Sequence, residues 1–217
     1  QLENIDKNDK VIVIIDSIGN IASKKELEDA MNEKSVADMS RAKQLKSLFR
    51  MTTPYLTMKD IPCVAVNHTY KEQGLFPKDI VSGGTGVYYS ADNIWIIGRQ
   101  QDKQGTEVKG YHFVINVEKS RFVKEKSKLP ISVSWEGGVQ RWSGLLDVAL
   151  DGGYVAKPSN GWYCRVDRSS GELMDPKSRE RDTLTADFWE PILAETDFAD
   201  FIKRKYSIVS EAINEGE

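Results

Sequence analysis

Apolar and polar positions along the chain sort into short strands and longer helices. Val11, Ile12, Val13, Ile14 and Ile15 form a run of five β-branched apolar residues that stops at Asp16. An unbroken run of this kind reads as a strand buried on both faces, at the centre of a parallel sheet. Residues 63–66 form a second such strand, ending at the polar pair Asn67-His68, and residues 93–98 a third. Between the first two, apolar positions recur at helical spacing over 36–58, through Met39, Ala42, Leu45, Leu48, Phe49 and Thr52, until Asp60-Ile61-Pro62 breaks the pattern. Residues 18–20 form a turn, and Ser23 with Glu26 makes a capping box that opens a charged segment through Lys34.

Residues 69–84 keep no period and carry Gly74, Pro77, Gly83 and Gly84, so they read as a long loop, followed by a short helix over 85–91. A polar hairpin turn spans 99–110. The stretches 111–117 and 131–135 alternate, as half-exposed strands at a sheet edge do. A short helix at 144–150, a strand at 162–166, a hydrophilic flexible link at 168–187 and helices over 188–214 complete the chain. The order predicts an α/β core with a mostly parallel central sheet, antiparallel edge strands and a small α-rich C-terminal region. The expected division is a core at 1–135 and a C-terminal region at 136–217, holding a small α/β subdomain and the terminal helices.

Composition changes this picture little. The chain is 40% hydrophobic and 29% charged, with a net charge of -3. Basic residues cluster at 119–128 and 177–181 while the tail is acidic, so local patches, not global charge, bear on nucleic acid. The two cysteines, Cys63 and Cys164, show no metal or disulfide spacing, which fits a reducing cytosol. No apolar run approaches the roughly 20 residues of a membrane span, so neither a membrane nor a signal peptide enters the expectation.

Candidate chemistry gathers at the strand tips. A carboxylate ending a buried strand, as Asp16 does, is the arrangement that holds Mg²⁺ against the phosphates in P-loop ATPases; it is equally how a strand ends in a capped turn. Tips of adjacent parallel strands lie about 4.8 Å apart, so Asp16 and Asn67 or His68 can face one ligand. Gly83, Gly84 and Gly86, beside a helix start, allow backbone N–H groups to approach a phosphate. Lys119 and Arg121, two apart on an edge strand, suit an anion or simply guard the edge. Arg41, Lys43, Lys46 and Arg50 give the long helix a cationic stripe, usable as a phosphate track and common on any soluble helix.

Taken together, Ile14-Ile15-Asp16-Ser17-Ile18-Gly19-Asn20, Asn67-His68-Thr69, Gly83-Gly84-Thr85-Gly86, Val117-Glu118-Lys119-Ser120-Arg121 and Asn160-Gly161-Trp162-Tyr163 resemble, in this order, the RecA/Rad51 recombinases, above all the UvsX-type branch of T-even-like phages. The resemblance implies a RecA-type P-loop ATPase core that filaments on single-stranded DNA, pairs it with homologous double-stranded DNA, and uses ATP and Mg²⁺. It places Asp16 as the metal-side carboxylate with Ser17 beside it, and His68 as the residue coupling γ-phosphate to DNA. Lys119 and Arg121 are implied to reach a neighbouring subunit's nucleotide. Residues 24–38 and 69–84 match the two DNA-binding loops. DNA contacts are implied at Lys43, Arg50, Tyr70, Gly83, Gly84 and Thr85. Self-association into helical filaments, a single-strand-binding protein and a mediator are the implied partners, in the cytoplasm of an infected bacterial host.

One motif of the family is missing. No GxxxxGK[ST] occurs in this sequence, so the expectation is the C-terminal part of a longer recombinase, inactive on ATP by itself and with apolar sheet edge exposed. Two other readings are kept. A hexameric RecA-fold helicase would form rings rather than filaments, and a non-catalytic recombinase-paralogue scaffold would lack the phosphate-binding lysine upstream.

Overall fold

The computed structural model describes residues 2–6, 8–32, 40–75 and 77–208, without the side chains of 25, 26, 29, 30, 40 and 104. The Glu26 side chain of the expected capping box, residues 33–38 of the first expected DNA loop and the chain beyond 208 lie outside the described residues, while Lys24–Met31 of that expected loop is helical. The chain divides into two compact units, Gln1–Ile94 and Trp95–Glu217.

In the first unit the order is β1 (Val13–Ile15), α1 (Lys24–Met31), α2 (Ser40–Met58), β2 (Cys63–Ala65), β3 (Thr69–Lys71), β4 (Asp79–Val81) and α3 (Gly84–Ser90). β1 and β2 pair in parallel, with Ile14 opposite Val64. The pairing runs past the strand ends, since Val66 N–H donates to Ile15 O and Ile18 N–H to Val66 O, both at 2.9 Å. One face is covered: Ile18, Leu45 and Val87 are buried together, with Ile15 and Phe49 packed against them. The other face carries Ile12, Ile14, Val64 and Val66, all exposed, Ile14 by 67%. Burial on both faces, expected from the unbroken apolar run, therefore fails here. The two faces of a strand alternate along it, and α2 and α3 cover only one of them.

The expected loop over 69–84 is a hairpin. β3 and β4 pair antiparallel with Tyr70 opposite Ile80, and Lys71 Nζ lies 2.9 Å from Asp79 at its outer end. Thr69, Tyr70, Ile80 and Val81 are strand formers, and the Gly- and Pro-containing stretch between them hides their alternation. The expected short helix is α3. It crosses α2 at Gly86, where a Cβ would stand 2.5 Å from Lys46 Cβ.

The second unit begins with β5 (Asn93–Gln104), β6 (Glu107–Ser120), β7 (Lys128–Ser134) and β8 (Gly138–Val139) in one sheet of that order. Two expectations change. The third apolar run belongs to this antiparallel sheet, with Trp95 and Ile97 each 56% exposed. The alternating stretches are its inner strands and not an edge, because the polar hairpin at 99–110 is itself strand, turning at Gly105 (φ 65). Among the described residues, parallel pairing is confined to β1 and β2.

Beyond it lie α4 (Leu145–Asp151), β9 (Val155–Ser159), β10 (Trp162–Val166), β11 (Leu173–Arg179), α5 (Ala186–Glu195) and α6 (Phe198–Tyr206). The expected flexible link contains β11, which pairs with β10 in a three-stranded sheet. Its polar sequence, Leu173 to Arg179, gave no apolar period to read. Trp142, Val148, Ala149, Tyr154, Val155, Tyr163, Phe188, Trp189, Ile192 and Phe198 close into one buried cluster.

At the rim of this cluster the Tyr154 hydroxyl donates to Asp197 at 2.7 Å, and Arg204 donates to the same carboxylate at 3.0 Å. The Tyr154 hydrogen bond, then the Arg204 guanidinium, hold the Asp197 carboxyl below the usual carboxylate range. A depressed native pKa contributes stability that is complete above the unfolded value, about 3.9, and is lost as pH falls through the native one. Asp197→Asn should therefore lower the melting temperature at neutral pH, with the difference from the parent narrowing as pH falls through the native pKa. A difference that stays constant across a pH series of thermal melts would refute this linkage.

Candidate functional site

Three of the expected residues, Asp16, Ser17 and His68, lie just beyond the tips of the paired strands β1 and β2. Asp16 is exposed at the end of β1, and the next residue, Ser17, is 4% exposed. The chain then folds through a 3-10 turn at Ile18–Asn20. His68, two residues beyond Val66, lays its ring against this turn. A Cβ built on Gly19 would stand 2.7 Å from His68 Cδ2, 3.3 Å from His68 Nε2 and 3.6 Å from Ser17 Oγ. Gly19 is thus the shared neighbour of the imidazole and the serine hydroxyl. Only the absence of a side chain lets the ring approach.

Asn67 fastens this tip to the hairpin. Its Oδ1 accepts the His68 N–H at 2.9 Å, and its Nδ2 donates to Ser82 O at 2.7 Å. Ser82 N–H donates in turn to His68 O at 3.0 Å. Asn67 is therefore a bracket, while His68 keeps its ring for Gly19. From Ser82 the chain passes directly to Gly83 (φ 93) and Gly84 (φ 76), which start α3 in a left-handed conformation that suits glycine. Ile18, Arg41, Ala42, Leu45, Ser82, Gly83 and Gly84 line an open pocket of about 240 Å³. Thr85 is exposed in the first turn of α3, and Tyr70 is 55% exposed on β3.

Lys43 and Arg50 are exposed on α2, seven residues apart and so on one side of the helix. Arg41, read with them as part of a cationic stripe, turns inward. Its Nη2 donates to Ile18 O at 3.1 Å and to Gly19 O at 2.5 Å. Neither this contact nor the fit of His68 on Gly19 was foreseen from the sequence. The one available signal was a glycine two residues past the serine of the strand tip.

Lys119 and Arg121 lie in the second unit. Lys119 is half-buried near the end of β6, an inner strand, and Arg121 is exposed beyond that strand's end. They do not share a strand face, because Ser120 Oγ accepts the N–H groups of Phe122 and Val123, at 3.0 and 3.1 Å, and turns the chain between them.

Mg²⁺ is commonly held by one or two carboxylates together with substrate phosphates. Among the described residues no cluster of three or more His, Cys, Asp or Glu forms a self-sufficient metal cage. Asp16 at the strand tip, beside the buried Ser17 Oγ that has no protein partner, fits the metal side of such a site. A phosphate-cradling motif is absent from the sequence given.

The family model for the C-terminal domain of the bacteriophage T4 recombination and repair protein matches residues 142–202, the span that holds the buried cluster from Trp142 to Phe198. The recombination and repair protein of Enterobacteria phage T4 is 53% identical over 219 residues, covering 99% of this chain and 56% of that protein. RecA of Tropheryma whipplei is 26% identical over 164 residues, covering 74% of this chain and 37% of RecA. RecA of Bacteroides thetaiotaomicron is 24% identical over 167 residues, covering 76% and 50%. The chain thus spans about half the length of the curated relatives it matches. No helix of the described residues is long and apolar enough to cross a membrane. Along nearly its whole length the chain is similar to the T4 recombination and repair protein, and more distantly to RecA, which bears out the RecA-family resemblance read from its motifs.

Proposed function

We propose that this chain forms part of an ATP-dependent recombinase that filaments on single-stranded DNA and promotes homologous pairing and strand exchange with a duplex. The observation that carries the proposal is the placement of Asp16, Ser17 and His68 at two paired parallel strand tips, with the His68 ring and Ser17 Oγ both beside Gly19 and the tip tied through Asn67 and Ser82 to the hairpin and the Gly83-Gly84 turn. The T4 relative's description as a recombination and repair protein supports it. Residues 1–135 are read as nucleotide core and 136–217 as a separate C-terminal region.

The roles follow from chemistry. Asp16 holds Mg²⁺, which supplies charge neutralisation at the phosphates when bound. Ser17 offers its hydroxyl beside it. His68 donates to the terminal phosphate oxygen and moves with nucleotide state. Lys119 and Arg121 stabilise phosphoryl charge on a neighbouring subunit, which makes hydrolysis depend on assembly. Lys43 and Arg50 meet the DNA backbone, with the N–H groups of Gly83, Gly84 and Thr85, while Tyr70 offers a stacking face. None of these contacts reads a base edge, as a protein that accepts any sequence requires. A single-strand-binding protein and a mediator remain the partners suggested by the family alone.

The 217-residue chain by itself, without a phosphate cradle, is expected not to bind ATP at micromolar concentrations. The product of the complete reading frame is expected to bind single-stranded DNA with a salt slope near -0.7 per phosphate contact, and to hydrolyse ATP faster with DNA present. His68→Ala should abolish that DNA stimulation while leaving DNA binding in place. DNA-stimulated hydrolysis at the parent's level in His68→Ala would sink the proposal, and rings in place of helical filaments under the electron microscope would favour the helicase reading.

A further inference from the structure

The Ile18-Gly19 turn is gripped from two sides. On one side lies the His68 ring, close enough to exclude even a methyl group on Gly19. On the other, Arg41 donates to both carbonyls of the turn. Arg41 is the second residue of α2, the helix that carries Lys43 and Arg50. A surface arginine ordinarily extends its head into water. This one is turned inward far enough that its Nε is buried without a partner. The pocket bounded by Ile18, Arg41, Ala42 and Gly83-Gly84 leaves the guanidinium and the first turn of α2 room to shift.

We propose that Arg41 is a positioning residue that passes a displacement of His68, through the Gly19 peptide, to the start of α2. Nucleotide at the strand tips then sets where Lys43 and Arg50 stand toward DNA. The inference rests on the reading of His68 as the phosphate-sensing group and adds a route to a second DNA-facing element, separate from the hairpin that His68 adjoins. The guanidinium is a two-carbonyl clamp in this scheme and not a phosphate contact. Both contacts come from the single Nη2, so a lysine ammonium, which has three donors but a shorter reach, keeps part of the clamp.

The test uses the complete reading-frame product and a fluorescent oligothymidylate, titrated with and without a non-hydrolysable ATP analogue at several salt concentrations. In the parent, the analogue should raise DNA affinity. In Arg41→Gln, and independently in Gly19→Ala, that gain should collapse toward one-fold. Arg41→Lys should retain part of it. The nucleotide-free affinity and its salt slope should match the parent in all three. A slope shallower by about 0.7 in Arg41→Gln would make Arg41 a phosphate contact and overturn the inference. A full gain retained in both Gly19→Ala and Arg41→Gln would do the same. Should Arg41→Gln fail to fold, a parent-sized gain in Arg41→Lys together with Gly19→Ala overturns it. A parent that shows no nucleotide-dependent gain refutes instead the reading of His68 on which it stands.

Discussion

Trp189→Ala is expected to destabilise the second unit by about 4 kcal/mol, in the upper range for truncating a large buried aromatic. Trp189 is fully buried, meets Phe188 edge-on at 5.2 Å and stacks on Phe198 at 6.1 Å with rings 18° apart. Phe198 in turn contacts Tyr154, at 4.9 Å. Truncation removes the ring that joins α5 to α6 and leaves a cavity that rigid aromatic neighbours cannot fill. Against a total domain stability of about 5–15 kcal/mol, such a loss leaves little in reserve. Trp189→Phe supplies the contrast. It keeps a ring in the cluster and removes an indole N–H that is buried without a partner, a group whose desolvation costs about 1–3 kcal/mol. Its net cost should be well under half that of alanine. Urea midpoints read by near-ultraviolet circular dichroism measure both. A loss under about 1 kcal/mol for alanine would mean that this cluster is not the packed core of the unit.

Much of this core was legible beforehand because helices announce themselves over long windows. Phe188, Ile192, Phe198 and Phe201 repeat at helical spacing, and α5 and α6 appear where that repeat runs. Strands were harder to read. The run ending at Asp16 revealed a strand but not how many of its faces are covered, since that depends on partners remote in sequence. β11 was missed because Leu173 to Arg179 carries polar side chains on an exposed edge of its sheet. The hairpin was missed because its two strands are three residues each, below the length at which alternation can be told from chance.

The candidate site was legible as a list of residues and illegible as an arrangement. Asp16, Ser17 and His68 stand at the tips of two paired strands, and the His68 ring and Ser17 Oγ share Gly19 as a neighbour. Arg41 could not be told from Lys43 by type or spacing. One turns inward because backbone carbonyls at Ile18 and Gly19 need a donor; the other stays in solvent. Which cation does which is decided by contacts over twenty residues apart. Lys119 and Arg121 likewise satisfy the two-residue rule on paper, while Ser120 turns the chain between them.

Gly86→Ala is expected to destabilise the first unit by about 2 kcal/mol, although alanine is the better helix former. On propensity alone the change would gain up to about 1 kcal/mol, since glycine loses more backbone freedom on entering a helix. The new methyl, however, would stand 2.5 Å from Lys46 Cβ, 2.7 Å from its Cγ and 2.8 Å from its Cα. The Cγ can rotate away; the Cα cannot move without α2. The two helices must therefore separate, and overpacking of this kind costs about 1–3 kcal/mol. Separation also loosens Leu45 from Val87 in the small cluster that covers β1 and disturbs the Gly83-Gly84 turn at the head of α3. DNA affinity should fall along with stability, even though Gly86 itself is buried. Hydrogen exchange of α2 and α3 peptides, parent against variant, reads the first effect, and oligothymidylate binding by the complete reading-frame product reads the second. The sign is the critical outcome. Slower exchange in the variant would mean that propensity wins and that α2 and α3 do not pack as closely as Gly86 requires.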